Sequence, residues 1–296
     1  MDVLFAGLGS MGMGMALSCL KAGHGVQGSD PDPARLDTLI RQGGQPVAAG
    51  GPAADALVCV VLNADQTRAA LFGPQGLAGR LAPGGVIVAC ATVAPDFARE
   101  MEAEATARGL LYLDAPISGG AAKAAAGALS IMASGQPAAF AAAAPLLQAM
   151  AETVHHLGDQ AGPGSAMKAV NQLLAGLHIM AMGEALALAT AQGLDLARVQ
   201  QVIGVSAGNS WMFQNRAPHV IAGDYAPRSA IDIWPKDLGI VAAMAQDAGL
   251  PLLLVETALA EYRAASAAGL GRLDDAVITR HIAARAGLAL PDGGQD

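Results

Sequence analysis

Over the first 160 residues, short apolar runs alternate with alanine-rich stretches whose apolar positions recur at helical spacing: VLFAG, MALSCLKAG, GVQGSD, ARLDTLIRQG, ALVCVVLN, VIVACAT, FAREMEAEATARG and LLYLDAP. Strand followed by helix, repeated, predicts a parallel sheet covered by helices on both faces. After Gly158 the pattern changes. GDQAGPGS reads as a turn-rich linker, and beyond it lie long helical runs without a strand pattern, broken at AGNS, AGDYAPRS and AGLGR. The expected architecture is an α/β domain over residues 1–161 followed by an all-α domain over 162–296, with no internal repeat.

The helical half opens on AGPGSAMKAVNQLLAGLHIMAMGEALALATAQ, residues 161–192, in which only Lys168 and Glu184 carry full charges. From Leu173 to Ala191 it is long enough to span a bilayer. His178, Glu184, the many Ala and Gly residues and the lack of aromatic or basic flanks read instead as a buried core helix. MDVLFAGLGSMG lacks a basic leader and reads as a strand entering a turn rather than a signal peptide.

Hydrophobic residues make up 53% and charged residues 14% of the chain. So few charges imply surface buried in a core, a domain interface or an oligomer contact, and a subunit contact, as in a homodimer or homotetramer, is expected. The net charge of −8, with no basic cluster, argues against a nucleic-acid partner. Cys19, Cys59 and Cys90 are an odd number at wide spacing, which suggests neither a disulfide framework nor a metal site and fits a reducing cytoplasm.

Candidate chemistry begins with AGLGSMGMGMA. Gly7, Gly9 and Gly12 form a GxGxxG directly after the first strand and at the start of a helix, with Leu8, Ser10 and Met11 between them. The first glycine permits a tight turn, the second lets the backbone approach a pyrophosphate, the third lets helix and strand pack, and the helix N-terminus supplies amide donors. Asp30, 21 residues after Gly9 at the end of GVQGSD, stands where a carboxylate accepts hydrogen bonds from the adenosine ribose and repels a 2′-phosphate. The expected cofactor is therefore NAD rather than NADP, with Arg35 near enough to temper that preference. The competing reading of Asp30 is a cap for the helix starting near Pro33.

Three further motifs lie downstream. LYLDAPISGG presents Ser118, Gly119 and Gly120, either a cradle of amides and a hydroxyl for a carboxylate or an ordinary turn. Lys168 follows a helix start marked by Gly162, Pro163, Gly164 and Ser165, and Asn171 and Gln172 lie one turn later on the same face. The plain alternative is a lysine snorkelling at a helix end. WPKDLGI puts Lys236 and Asp237 near another helix start, where such a pair is ordinarily a solvated cap. His155 and His156, adjacent on an expected strand, point to opposite faces and read as structural.

GLGSMGMGMALSCLKAGH, DAPISGG, GPGSAMKAVNQ and KDL, in that order and over nearly the whole chain, resemble the β-hydroxyacid dehydrogenase family. The resemblance implies an N-terminal Rossmann domain, an all-α C-terminal domain built on a long interdomain helix, and oligomers that bury the second domain. It implies that Gly7 to Gly12 and Asp30 hold the dinucleotide, with Leu62, Asn63 and Thr92 as further contacts, and that Ser118, Gly119 and Gly120 bind a substrate carboxylate. Lys168 would be the catalytic residue, Asn171 and Gln172 would position substrate, and Lys236 would close over the nicotinamide end.

Within the family, VLNADQTRAALFG and AGNSWMFQNRAPHVIAGDYAPRSAIDIWPKDL look most like members that oxidise C2 of L-threonate, and Asn209, Ser210, Asn215 and Arg216 would give a polar pocket suited to a polyhydroxy acid. Ala91, where many members have serine, and Asn171, where that group is expected to carry histidine, depart from the pattern. They leave 3-hydroxyisobutyrate and tartronate semialdehyde as alternative substrates. Hydride would pass from the alcohol carbon to NAD while Lys168 removes the hydroxyl proton. That requires burial to lower the lysine from about 10.4 toward about 7 to 8. A non-catalytic dinucleotide-binding module would not need lysine, amides and carboxylate cradle together. An imine reductase would carry another residue at the lysine position and prefer NADP.

Overall fold

The computed structural model describes residues 1–48, 50, 51 and 53–291. Its contacts divide the chain into two compact units, Met1–Lys168 and Ala169–Asp296. In the first unit β1 (Asp2–Ala6), α1 (Ser10–Lys21), β2 (Gly25–Ser29), α2 (Pro33–Arg41), β3 (Gln45–Pro46), β4 (Ala54–Cys59), α3 (Ala64–Phe72), β5 (Leu81–Ala89), α4 (Pro95–Ala107) and β6 (Leu111–Asp114) form a doubly wound layer. All six strands are parallel, in the order β3-β2-β1-β4-β5-β6.

Burial on both faces explains why these strands read as unbroken apolar runs. Val3 and Phe5 enter one core with Met15 and Leu146, whereas Leu4 and Ala6 enter the other with Leu71 and Met101. Each large side chain so buried contributes roughly 1.5–3 kcal/mol before entropy is counted. The chain continues through β7 (Ile117–Ser118), α5 (Gly120–Ala125), β8 (Leu129–Ala133), α6 (Pro137–Met150) and β9 (Ala151–His156). Here β7 pairs antiparallel and β9 parallel to β8, and an Asp114–Ser134 bridge ties this small sheet to β6. The apolar pattern does not predict α6. PAAFAAAAPLLQAM has little polar contrast around the helix and carries Pro145 inside it.

The second unit contains most of α7 (Pro163–Ala191), then α8 (Leu196–Gly204), α9 (Trp211–Ala222), α10 (Ile233–Asp247), α11 (Leu253–Ala265) and α12 (Ile278–Ala284). Trp234 and Tyr262 stack at 5.6 Å in its core, and the Tyr262 hydroxyl donates to the Gly176 carbonyl at 2.9 Å. Packing at Gly176 is tight, because a Cβ would sit 3.0 Å from the Trp234 ring and the ring would have to give by a few tenths of an ångström. By length and composition α7 could cross a membrane. In the fold, its Ile179, Met182 and Leu186 stripe buries among Trp234, Leu238, Tyr262 and Ile278.

Candidate active site

The loops leaving β1, β2, β4 and β5 carry Gly7–Gly12, Asp30, Leu62 with Asn63, and Thr92. Parallel strands bring all of them to one edge of the sheet, around the reversal of strand order between β1 and β4, where open α/β sheets bind ligands. Gly7 has φ +93°, and a Cβ there would meet the Val60 carbonyl at 2.3 Å; at Gly12 a Cβ would strike the Gly7 carbonyl oxygen at 2.1 Å. Gly9 differs. Its φ of −64° suits any residue, and a Cβ would meet only Arg35, at 3.7 Å. The fold itself does not require glycine at position 9, whereas a pyrophosphate approaching the backbone would.

Gly9 is also the N-cap of α1 with no side-chain cap, so the following amides of Ser10, Met11 and Gly12 lack intrahelical acceptors. Those features fit a nicotinamide dinucleotide. Leu8 takes a different part. Its side chain is buried, and its amide donates to Asp30 Oδ2 at 2.7 Å, tying the glycine loop to the acid that ends β2. Asp30 also accepts from the Asp32 amide and pairs with Arg35 at 3.4 Å, while Asp32, not Asp30, is the N-cap of α2. Arg35 thus stands beside both Gly9 and Asp30. Asn63 caps α3 by accepting from the Gln66 amide, and Gln66 accepts from the Leu62 amide, leaving the Leu62 side chain exposed at the sheet edge. Thr92 follows β5 on the same edge.

In the expected carboxylate cradle, Gly119 and Gly120 have φ +136° and +78°, a geometry that by itself favours glycine. A Cβ on Gly120 would meet nothing within 4 Å, so the space above it is open. Asp114, the acid of DAPISGG, does something the sequence pattern does not reveal. Fully buried at the end of β6, it accepts from the amides of Gly162 and Ser165 at 3.0 and 2.8 Å and from the Ser165 hydroxyl at 2.7 Å. Ser134 adds its hydroxyl to Asp114 at 3.4 Å and accepts from the Gly164 amide at 2.9 Å.

Asp114 therefore caps α7 from across the chain, satisfying amides that the Gly-Pro-Gly start cannot satisfy locally. Burial pushes its carboxyl up, opposed by these hydrogen bonds. Lys168, three residues after Ser165, is only 8% exposed. A lysine snorkelling at a helix end is ordinarily exposed, whereas this one is buried.

In the second unit, Gln172 is buried and donates through Nε2 to Asp237, while its Oε1 accepts from Asn171 Nδ2 at 3.0 Å. Lys236 Nζ lies 2.5 Å from the other Asp237 oxygen. The expectation of a solvated Lys-Asp cap is corrected here. α10 starts at Ile233, so Asp237 falls in its second turn, on the inward face, with 2% of its side chain exposed.

The polar residues expected to line a sugar-acid pocket are largely committed to the fold. Ser210 caps α9, Asn209 donates to the Gly204 carbonyl, and Arg216 bonds both Asn215 and buried Asp275. Asp275 also accepts from Trp234 Nε1; burial raises its carboxyl despite Arg216. Motif reading passes over Asp114 and takes Asp237 only for a solvated cap. The available signal was an acid embedded in an apolar segment, which has to be paired when buried.

Comparison with known proteins extends over both units. The NAD binding domain of 6-phosphogluconate dehydrogenase matches residues 2–158, and the NAD-binding domain of NADP-dependent 3-hydroxyisobutyrate dehydrogenase matches residues 162–282. L-threonate dehydrogenase of Haemophilus influenzae is 44% identical over 99% of this chain and 98% of its own length. That of Cupriavidus necator is 45% identical over 93% of each. A Salmonella typhimurium structure described as 3-hydroxyisobutyrate dehydrogenase superposes with a TM-score of 0.90 at 45% identity, covering 95% of this chain and 99% of that one. Similarity at this level, running through the nucleotide loop and the helical unit alike, leaves one assignment: the chain belongs to the β-hydroxyacid dehydrogenase family and is an NAD-dependent hydroxyacid dehydrogenase.

Proposed function

We propose that the protein oxidises C2 of L-threonate to the 2-oxo acid, with Lys168 as the general base. The observation that carries the substrate is the 44–45% identity, over nearly the full chain, to enzymes named L-threonate dehydrogenase. The buried position of Lys168 one turn into α7 supports its role, because a sequestered amine is easier to hold neutral than an exposed one. Bound at the sheet edge, NAD supplies the acceptor for the hydride. Lys168 takes the hydroxyl proton as the C2–H bond gives up its electron pair, and in reduction returns it to the alkoxide. Ser118 with the Gly119 and Gly120 backbone holds the carboxylate, Asn171 and Gln172 orient the hydroxyl groups, and Lys236 would close over the nicotinamide end. Asp30 favours NAD over NADP.

The test is turnover of L-threonate, D-threonate, the erythronates, D-glycerate and 3-hydroxyisobutyrate with NAD, on wild type and Lys168→Ala. L-threonate should lead, and Lys168→Ala should lose about 10³-fold in kcat while binding NAD normally, in keeping with the scale of acid–base catalysis. Full turnover by the variant would sink the assignment. The Salmonella structure's description favours 3-hydroxyisobutyrate as the second reading, and turnover of that acid alone would establish it.

A further inference from the structure

We infer that Asp237 is a positioning residue that sets the hydrogen-bond polarity of the Asn171–Gln172 pair, so that Asn171 offers its carbonyl oxygen to a hydroxyl group of the acid. The inference rests on the substrate-positioning role proposed above for those two amides. An amide side chain can usually turn end for end, since its oxygen and nitrogen have nearly the same shape. Asp237 removes that freedom. Its carboxylate, paired with Lys236, has only acceptors, so the Gln172 group facing it has to be the NH₂.

Gln172 then turns its oxygen toward Asn171, which answers with Nδ2 at 3.0 Å. The consequence propagates one step further. With its NH₂ turned inward, Asn171 is left with Oδ1 as its outward acceptor, the complement of an alcohol O–H. A methyl group offers no such donor, so the fixed polarity favours an acid carrying hydroxyl groups. The burial of Asp237 and Gln172 sharpens the effect, because a mis-turned amide would place its oxygen against a carboxylate away from water.

The test is a cycle of Asp237→Asn, Gln172→Met and the double variant, assayed with NAD and L-threonate beside Lys168→Ala. An asparagine in place of Asp237 would present either an oxygen or an NH₂, so Gln172 could settle both ways round. We expect Asp237→Asn to raise KM for the acid at least tenfold, Asp237→Glu to recover part of that loss, and the double variant to be no worse than the poorer single one. A merely structural role would instead lower the active fraction, reducing apparent kcat at unchanged KM. That result, fully multiplicative losses, or wild-type KM in Asp237→Asn would overturn the inference. If Asp237→Asn fails to fold, Gln172→Met removes the acceptor that keeps the Asn171 NH₂ turned inward and carries the same expectation, with wild-type KM the overturning result. An active Lys168→Ala would sink the underlying reading, whereas an inactive Lys168→Ala with unaltered Asp237→Asn sinks only the role of Asp237.

Discussion

The glycine loop and the start of α7 both present chemistry at a helix N-terminus, and they are built in opposite ways. At α1 the cap is Gly9, without a side chain, and the first amides are left unsatisfied by the helix. At α7 the corresponding amides of Gly162 and Ser165 are filled by Asp114, 48 and 51 residues earlier in the chain. An uncapped N-terminus attracts an anion; a capped one is held rigid. The first therefore suits a phosphate, and the second suits a rigid start for the helix that carries the proposed base, Lys168.

The largest test of this contrast is Asp114→Ala. It would strand two buried amides and a hydroxyl, and should lower stability by about 3–5 kcal/mol in denaturant unfolding, at roughly 1–3 kcal/mol for each buried polar group left unpaired. Stability within about 1 kcal/mol of wild type would show that the cap is dispensable. Because burial raises the Asp114 carboxyl in the folded state, the native protein holds its proton to higher pH than the unfolded chain does. That contribution is fully present below the ordinary carboxylate value of 3.8 and declines as pH rises through the folded value. The thermal advantage of wild type over Asp114→Asn should accordingly narrow from about pH 4 upward, and a widening gap would contradict the direction of the shift.

The glycine loop breaks differently. Gly12→Ala puts a Cβ 2.1 Å from a backbone oxygen and should reduce both stability and NAD affinity, the latter by about 100-fold, or about 2.7 kcal/mol. Gly9→Ala meets only a flexible arginine tip, so its thermal midpoint should stay near wild type while NAD affinity falls about tenfold. Equal thermal losses in the two variants would refute the distinction between a fold glycine and a ligand glycine. The smallest effect is expected at Asp30. Asp30→Ala removes the carboxylate that would repel a 2′-phosphate and one of the two acids that Arg35 pairs with, the other being Asp32, so the NAD-to-NADP ratio of kcat/KM should fall about tenfold. No change in the ratio would remove Asp30 from cofactor selection.

The nucleotide half was the more legible because its chemistry is local. GxGxxG, the strand before it and the acid ending the next strand lie within 30 residues, and backbone sterics tie each glycine to its place. α6 and the small sheet were less legible. Alanine-rich segments lack the contrast from which periodicity is read, and β7 is only two residues long.

By itself the sequence determined the parallel α/β unit, the helical unit after it, the glycine loop and the identity of Lys168 as a cation in an apolar helix. All of these follow from local pattern, since side-chain period and backbone sterics act over a few neighbouring residues. Only the tertiary structure decided what Asp114 and Asp237 do. Asp237 is next to Lys236 in sequence, yet its second partner, Gln172, lies 65 residues away, and Asp114 reaches α7 across 51. A buried carboxylate needs donors and takes them from whatever the fold brings near. No spacing along the chain records that choice.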